Sequence, residues 1–260
     1  LKSVTLPDSV TTVGSSAFRG CTSLKTVKGG SGITSAGSYI MEGTAWLQDQ
    51  TGDVAVLSGR VAVSAKIGLK TAVVPDGVAV LCDTLFSDQT ALTEVQLPAS
   101  LMYIGNIAFI NCSALENIAL PSRVQSIGTS AFRHCTSLKS IQLPDELLFV
   151  GSGAFRSCSA LETVQFNEKL QVISQSAFQD CTALRLAVLP ESLQQCISGL
   201  YFFEHGGACR QYVAGDSGKC VQRLFHAGIC HNEQFCQKDR GKCVQQLHQS
   251  AEYDISPCTD

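Results

Sequence analysis

Charge is scarce in this sequence and nearly balanced. Of 260 residues only 16% are charged, against about a quarter in an ordinary globular domain. Nineteen Lys+Arg face 22 Asp+Glu, for a formal net charge of −3. No basic excess exists to neutralise a run of phosphates, so nucleic acid is not an expected partner. Mean hydropathy is +0.15, yet no apolar run approaches the roughly 18 residues of a bilayer span. Leu1-Lys2-Ser3-Val4 offers neither an initiator Met nor a basic segment leading into an apolar stretch, so no signal peptide is visible. The sequence reads as a segment of a longer chain. Dinucleotide and phosphate-loop fingerprints are also missing: Cys follows Gly218-Lys219 and Gly241-Lys242, where a phosphate loop has Ser or Thr. Gly29-Gly30-Ser31-Gly32 reads as a loop bend. What the sequence does have is 45% hydrophobic residues, which excludes a disordered chain, and thirteen cysteines.

Those cysteines expose an internal repeat. Ala-Phe-x-x-Cys-[Ser/Thr]-[Ser/Ala]-Leu occurs at 17–24, 108–115, 131–138, 154–161 and 177–184, and Cys112, Cys135, Cys158 and Cys181 are each 23 apart. The unit reads Leu-x-x-Val-x-Leu-Pro-x-x-Val-x-x-Ile-Gly-x-x-Ala-Phe-x-x-Cys. Copies begin at Leu1, Leu24, Leu92, Leu115, Leu138, Leu161 and Leu184, with degenerate ones near Leu47 and Leu69. Met41 and Thr44 stand for Phe and Cys in the second unit, Gln89 replaces Cys in the fourth, and Tyr201 replaces Phe in the ninth.

A self-similar unit of this length is a solenoid coil, because one unit cannot close a core alone and stacking converts each inward position into a ladder. Leu115-x-x-Ile118-x-Leu120 suits an extended segment, and Pro121 ends it for want of a donor. Val124 and Ile127 give a second inward arc. Gly128 is expected to permit the bend into a short helical or turn segment carrying Ala131 and Phe132 inward. Phe18, Met41, Phe86, Phe109, Phe132, Phe155, Phe178 and Tyr201 would then form one continuous spine. The expected fold is a mainly β solenoid of about nine 22–23-residue coils over residues 1–202, with short strands and helical turns, followed by a small cysteine-rich module over 203–260.

The repeat resembles the BspA-like leucine-rich repeat, also called the Treponema pallidum type, across about residues 1–200. Its Ala-Phe-x-x-Cys-x-x-Leu element carries the resemblance. Residues 43–59 resemble a variant unit common in that family. Within this variant repeat, about 43–68, Asp53–Leu57 and Arg60–Ser64 alternate around Ser58-Gly59 as a β-hairpin should. The resemblance implies a right-handed solenoid displayed on a microbial surface and used for adhesion or ligand capture.

The cysteines fall into two populations. Cys21, Cys112, Cys135, Cys158 and Cys181 share one repeat position and are expected to be inert buried thiols, as are Cys82 and Cys196. Stacked coils bring ladder cysteines within disulfide range, but parallel side chains suit packing better than the disulfide dihedral. Cys209, Cys220, Cys230, Cys236, Cys243 and Cys258 crowd the tail, where Asp216-x-Gly-Lys-Cys-Val-Gln-x-Leu224 recurs at 239–247. Six cysteines with little aliphatic company point to a module stapled by disulfides, hence to an oxidising compartment outside the cytoplasm. Two readings stay open beside it: a zinc site from Cys220, His226, Cys230 and Cys236, whose spacings are wider than structural zinc favours, and a weakly folded tail.

Catalytic signals are thin. Gly215-Asp216-Ser217-Gly218 matches the core of a chymotrypsin-like nucleophile motif, but Lys219-Cys220 follows it, and His205 is a base without the matching surroundings. A tight turn is the expectation, with a hydrolase using Ser217 as the remote alternative. No enzyme activity and no cofactor are expected. The outward positions of Leu-x-x-Val-x-Leu form rows instead. One reads Lys2, Lys25, Lys70, Thr93, Glu116, Lys139, Glu162, Arg185; its later half alternates in sign, so neighbours can pair across the sheet. A second is Gln96, Ala119, Gln142, Gln165. A third row, Arg19, Arg133 and Arg156, is either an anion-binding strip or dispersed surface charge. The candidate binding face is Gln96, Glu116, Lys139, Gln142, Glu162, Gln165 and Arg185. The expected function is non-enzymatic binding of a protein or glycoprotein, secreted or at a cell surface; a spacer scaffold without a ligand is the alternative.

Overall fold

The computed structural model describes residues 1–184, 190 and 192–193, and the backbone strands at 195–196, 200–203, 209–214 and 220–225. Each repeat makes three short segments, and each segment stacks on its counterpart in the next coil. The Val-x-x-Ile arc builds the main ladder. It runs from Gln195–Cys196 through Val172–Ile173, Phe149–Val150, Ser126–Ile127, Tyr103–Ile104 and Val80–Leu81 to Val61–Ala65, all parallel, and ends on Val54–Leu57. The register is one repeat per rung: Ile104 against Ile127 against Val150 against Ile173. Inward residues at these places, including Leu101, Val124, Leu147 and Leu170, are fully buried. The solenoid and its inward ladders are therefore as the repeat spelled them.

Val54–Leu57 and Val61–Ala65 pair antiparallel around Ser58-Gly59, both with positive φ (52° and 67°), as a primed hairpin turn requires. This hairpin replaces most of a coil. The Asp83 N–H donates directly to the Ala36 carbonyl at 2.8 Å, so at that point the fourth coil rests on the second. Gln89, in the cysteine position above the gap, is buried and fills it with polar contacts. Its side-chain carbonyl accepts from the Gly68 and Leu69 amides at 2.8 and 3.2 Å, and its NH₂ donates to the Lys66 carbonyl. Thr44, in the same repeat position, caps the helix Ala45–Gln48 by accepting from the Leu47 amide at 3.1 Å.

The Ala-Phe segments take the turn form. Each is bracketed by two left-handed residues, as in Ile107 and Asn111, Ser130 and His134, or Ser176 and Asp180. These brackets aim the N–H groups along the stack rather than back into a helix. Ile107, Phe109 and Asn111 donate to the carbonyls of Thr129, Ala131 and Arg133 in the following coil at 2.7–2.9 Å. A helix would have closed the same amides within one coil.

Gly128 acts differently from the expectation. Its φ is not among the positive ones, so it is not there to bend the chain. Instead, a Cβ at this position would sit 2.7 Å from the Asn106 amide nitrogen and 2.7 Å from the Gly105 carbonyl carbon. Gly105 and Gly151 meet the coil before them in the same way. The residue is small because two backbones touch. Gly128→Ala is expected to cost about 2–3 kcal/mol, the upper range for overpacking, read as a lower denaturant midpoint. A change within 0.5 kcal/mol, the usual size at an exposed site, would show that the coils can part freely.

The rings of Phe86, Phe109, Phe132, Phe155 and Phe178 stack face to face, with centroids 4.9–5.2 Å apart. The spine is shorter than expected. Met41 is buried but brings no ring, and Phe18 is only half buried. Tyr201 lies in the strand Leu200–Phe203, which pairs antiparallel with Cys209–Ala214, itself paired with Cys220–Phe225.

Candidate functional site

The Leu-x-x-Val-x-Leu segments place alternate residues outward because inward Val95, Ile118, Ile141 and Val164 are buried at the same repeat position. Thr93, Glu116, Lys139 and Glu162 are exposed in one row, and Gln96, Ala119, Gln142 and Gln165 in another. Six of the seven candidate binding residues thus share one face; Arg185 lies outside the described residues. Lys139 Nζ donates to Glu116 Oε2 at 2.7 Å, the cross-coil pairing expected of an alternating row. That hydrogen bond, then the charge behind it, lowers the Glu116 pKa and raises that of Lys139. Both side chains are more than half exposed, so the pair orients the row more than it stabilises the fold.

The ladder on this face is broken. Strand Thr71–Val73 pairs with Glu94–Gln96, and Ser140–Gln142 pairs with Thr163–Gln165, as two separate two-stranded sheets. Between them, residues 115–120 form no strand. The amide at the start of this segment normally donates one coil back, as Thr93 does to Lys70, Lys139 to Glu116 and Glu162 to Lys139. Glu116 makes no such bond to Thr93, and among the described residues Asn117, Ile118, Ala119 and Leu120 make no backbone hydrogen bond. A groove of about 650 Å³ opens on one side, lined by Thr93–Leu97 and Glu116–Ala119. A second, of about 370 Å³, opens on the other, with Ser140, Gln142 and Asp145 among its walls. Sequence reasoning passed over Glu94 and Asn117. The available signal was Asn117 and Ala119 together in a segment that otherwise favours β-branched residues.

The other candidate surfaces are less organised. In the arginine row, Arg19 pairs with Glu42 at 2.7 Å and Arg156 with Asp180 at 3.5 Å. Among the described residues no three His, Cys, Asp or Glu side chains gather as a metal site, and no helix is long and apolar enough to cross a membrane.

The ladder cysteines are free; Cys21 is only partly buried, against expectation, whereas Cys112, Cys135, Cys158 and Cys181 are buried. They are more than small hydrophobes, since each thiol donates one coil back: Cys112, Cys135, Cys158 and Cys181 to the carbonyls of Phe86, Phe109, Phe132 and Phe155 at 3.1–3.2 Å. Desolvation pushes Cys112 and Cys181 up to about 12 and raises Cys82, Cys135 and Cys158 as well. In the tail, Cys209 stands opposite Phe225 and Cys220 opposite Ala214. The two therefore sit at opposite ends of one ladder, about five rungs or ~17 Å apart, too far to bridge each other. The side chains of all six tail cysteines, together with Cys196, Ser217, His205 and the suggested zinc ligands, lie outside the described residues.

Among solved structures, the chain is similar to the T. pallidum leucine rich repeat protein, at 26% identity over 73% of this chain and 71% of that one, with TM-score 0.44. It is similar to a leucine rich cell surface protein of Faecalibacterium prausnitzii A2-165 at 24% identity over 76% and 69%, TM-score 0.34. The pneumococcal vaccine antigen PcpA matches at 18% identity over 74% and 62%, TM-score 0.49. No curated protein sequence matches. The profile of the BspA type leucine rich repeat region matches residues 1–52 and 62–204 in six copies. With that profile covering most of the chain and the stacked Phe, Cys and Ile-Gly ladders in place, the chain belongs to the BspA-type leucine-rich repeat family.

Proposed function

We propose that this chain is a non-enzymatic binding solenoid that engages a protein or glycoprotein outside the cell or at its surface, through the face bearing Gln96, Glu116, Lys139, Gln142, Glu162 and Gln165. The observation carrying this reading is the exposure of those six side chains on one face over a close-packed core. Such a face presents polar groups at fixed spacing across several coils, so a large partner meets it without first ordering it. The six cysteines of the tail suit an oxidising environment.

The test compares beads coated with the full chain against beads coated with a variant carrying Gln96→Arg, Lys139→Glu, Gln142→Arg and Glu162→Lys. All four positions are exposed, so the fold should survive, which circular dichroism checks. Bead attachment to cultured epithelial cells is expected to fall to background in the variant. Equal attachment of both would favour a spacer scaffold over a binding face.

A further inference from the structure

The break in the outer ladder has a chemistry of its own, and the inference here rests on the binding reading above while naming a subsite and its occupant. Among the described residues no backbone hydrogen bond joins 93–97 to 116–120. The strand Glu94–Gln96 is paired on one edge only, to Thr71–Val73, and Asn117–Leu120 is paired on neither. Where neighbouring coils on this face do pair, as Thr71–Val73 with Glu94–Gln96 and Ser140–Gln142 with Thr163–Gln165, they satisfy each other's peptide groups, so free groups on both walls of a groove form a local template for an incoming strand.

Charge narrows the occupant. The residues lining the larger groove include two carboxylates, Glu94 and Glu116, and no cation. The one charged residue lining the smaller groove is Asp145. Glu116 is already engaged by Lys139 at 2.7 Å. Glu94 has only a 3.3 Å hydrogen bond from the neutral Gln96 amide, which leaves its charge uncompensated at the mouth. The walls below are apolar, through Val95, Leu97 and Ile118.

We propose that this groove is a peptide-binding subsite for an extended, basic segment of a partner protein. The partner's main chain bonds to the free peptide groups of Glu94–Gln96 and Asn117–Ala119. Alternate side chains point down to Val95 and Ile118, and a Lys or Arg reaches Glu94.

The probe is a fluorescein-labelled heptapeptide, Lys-Val-Lys-Val-Lys-Val-Lys, titrated against the full chain at moderate salt. Saturable binding is expected, with slowed hydrogen exchange at the amides of 94–97 and 117–120. Glu94→Lys should weaken binding at least fivefold while leaving the denaturation midpoint unchanged. A peptide N-methylated at alternate amides should bind at least tenfold more weakly. Equal binding of the N-methylated peptide would reduce the effect to charge attraction and overturn the subsite, as would protection elsewhere on the chain or no saturable binding at all. The two readings fail separately. If the four-site variant loses cell attachment but the peptide leaves 94–97 and 117–120 unprotected, the subsite alone is wrong. If the peptide binds as described and bead attachment is insensitive to the face, the adhesion reading is wrong and the subsite stands.

Discussion

Phe132→Ala is expected to destabilise the chain by about 3–5 kcal/mol, the usual cost of emptying a buried aromatic site. Phe132 is fully buried, and its ring stacks between Phe109 at 4.9 Å and Phe155 at 5.2 Å, within 4° of parallel on both sides. Truncation removes contacts with two neighbours at once. The site cannot collapse to recover them, because the coils are held apart at backbone distance by bonds such as Phe132 N–H to the Ala154 carbonyl at 2.7 Å. Phe18→Ala should cost clearly less, since Phe18 is only half buried. Urea denaturation of the two variants checks both values. A loss under 1 kcal/mol for Phe132→Ala would mean that the stacked rings contribute little to coil cohesion.

The second large effect is alkaline unfolding driven by the thiol ladder. Cys82, Cys112, Cys135, Cys158 and Cys181 all have raised pKa values, chiefly through desolvation. In the unfolded chain a thiol ionises near pH 8.5–9, whereas folded Cys112 and Cys181 hold their protons to about 12. Above about pH 9 the unfolded state therefore binds fewer protons than the folded state, and stability falls as pH rises. Each thiol contributes up to about 1.4 kcal/mol per pH unit across that window, until the folded pKa is reached. Below pH 8 these groups are protonated in both states and make no slope. Replacing Cys135 and Cys158 by Ala should remove about two-fifths of the thiol-dependent slope measured between pH 9 and 10.5. An unchanged slope would place the alkaline sensitivity on other groups. At neutral pH the same thiols should resist iodoacetamide in the folded chain, because the thiolate is the reactive form.

Much of this arrangement was legible in the residues. The inward ladders follow from the repeat alone: Leu115, Ile118, Val124, Ile127, Ala131, Phe132 and Cys135 occupy fixed places in one coil and are all buried. The hairpin was legible because Ser58-Gly59 sits between two alternating segments, and local turn chemistry is enough to fix it. The pairing of Glu116 with Lys139 followed from a 23-residue spacing that brings opposite charges onto adjacent rungs. Gln89 was visible only as a departure from Cys. That it bonds to the backbone of 66–69 depends on the hairpin having displaced a coil, which no position in the fourth repeat announces.

The sequence by itself determined which side chains face inward, how long each coil is and which residues stand on a common outer face, because these are set by periodicity within a single unit. Tertiary structure alone decided what happens between units. It made Gly128 a contact point between backbones rather than a bend. It sent the Ala-Phe amides to the next coil rather than into a helix, and it opened the ladder at 115–120 while keeping Ile118 buried. Hydrogen bonds between coils depend on the spacing of two non-adjacent segments to within a few tenths of an ångström. A repeat can be nearly identical in composition and still miss that spacing, which is how one coil in this stack comes to leave its peptide groups free.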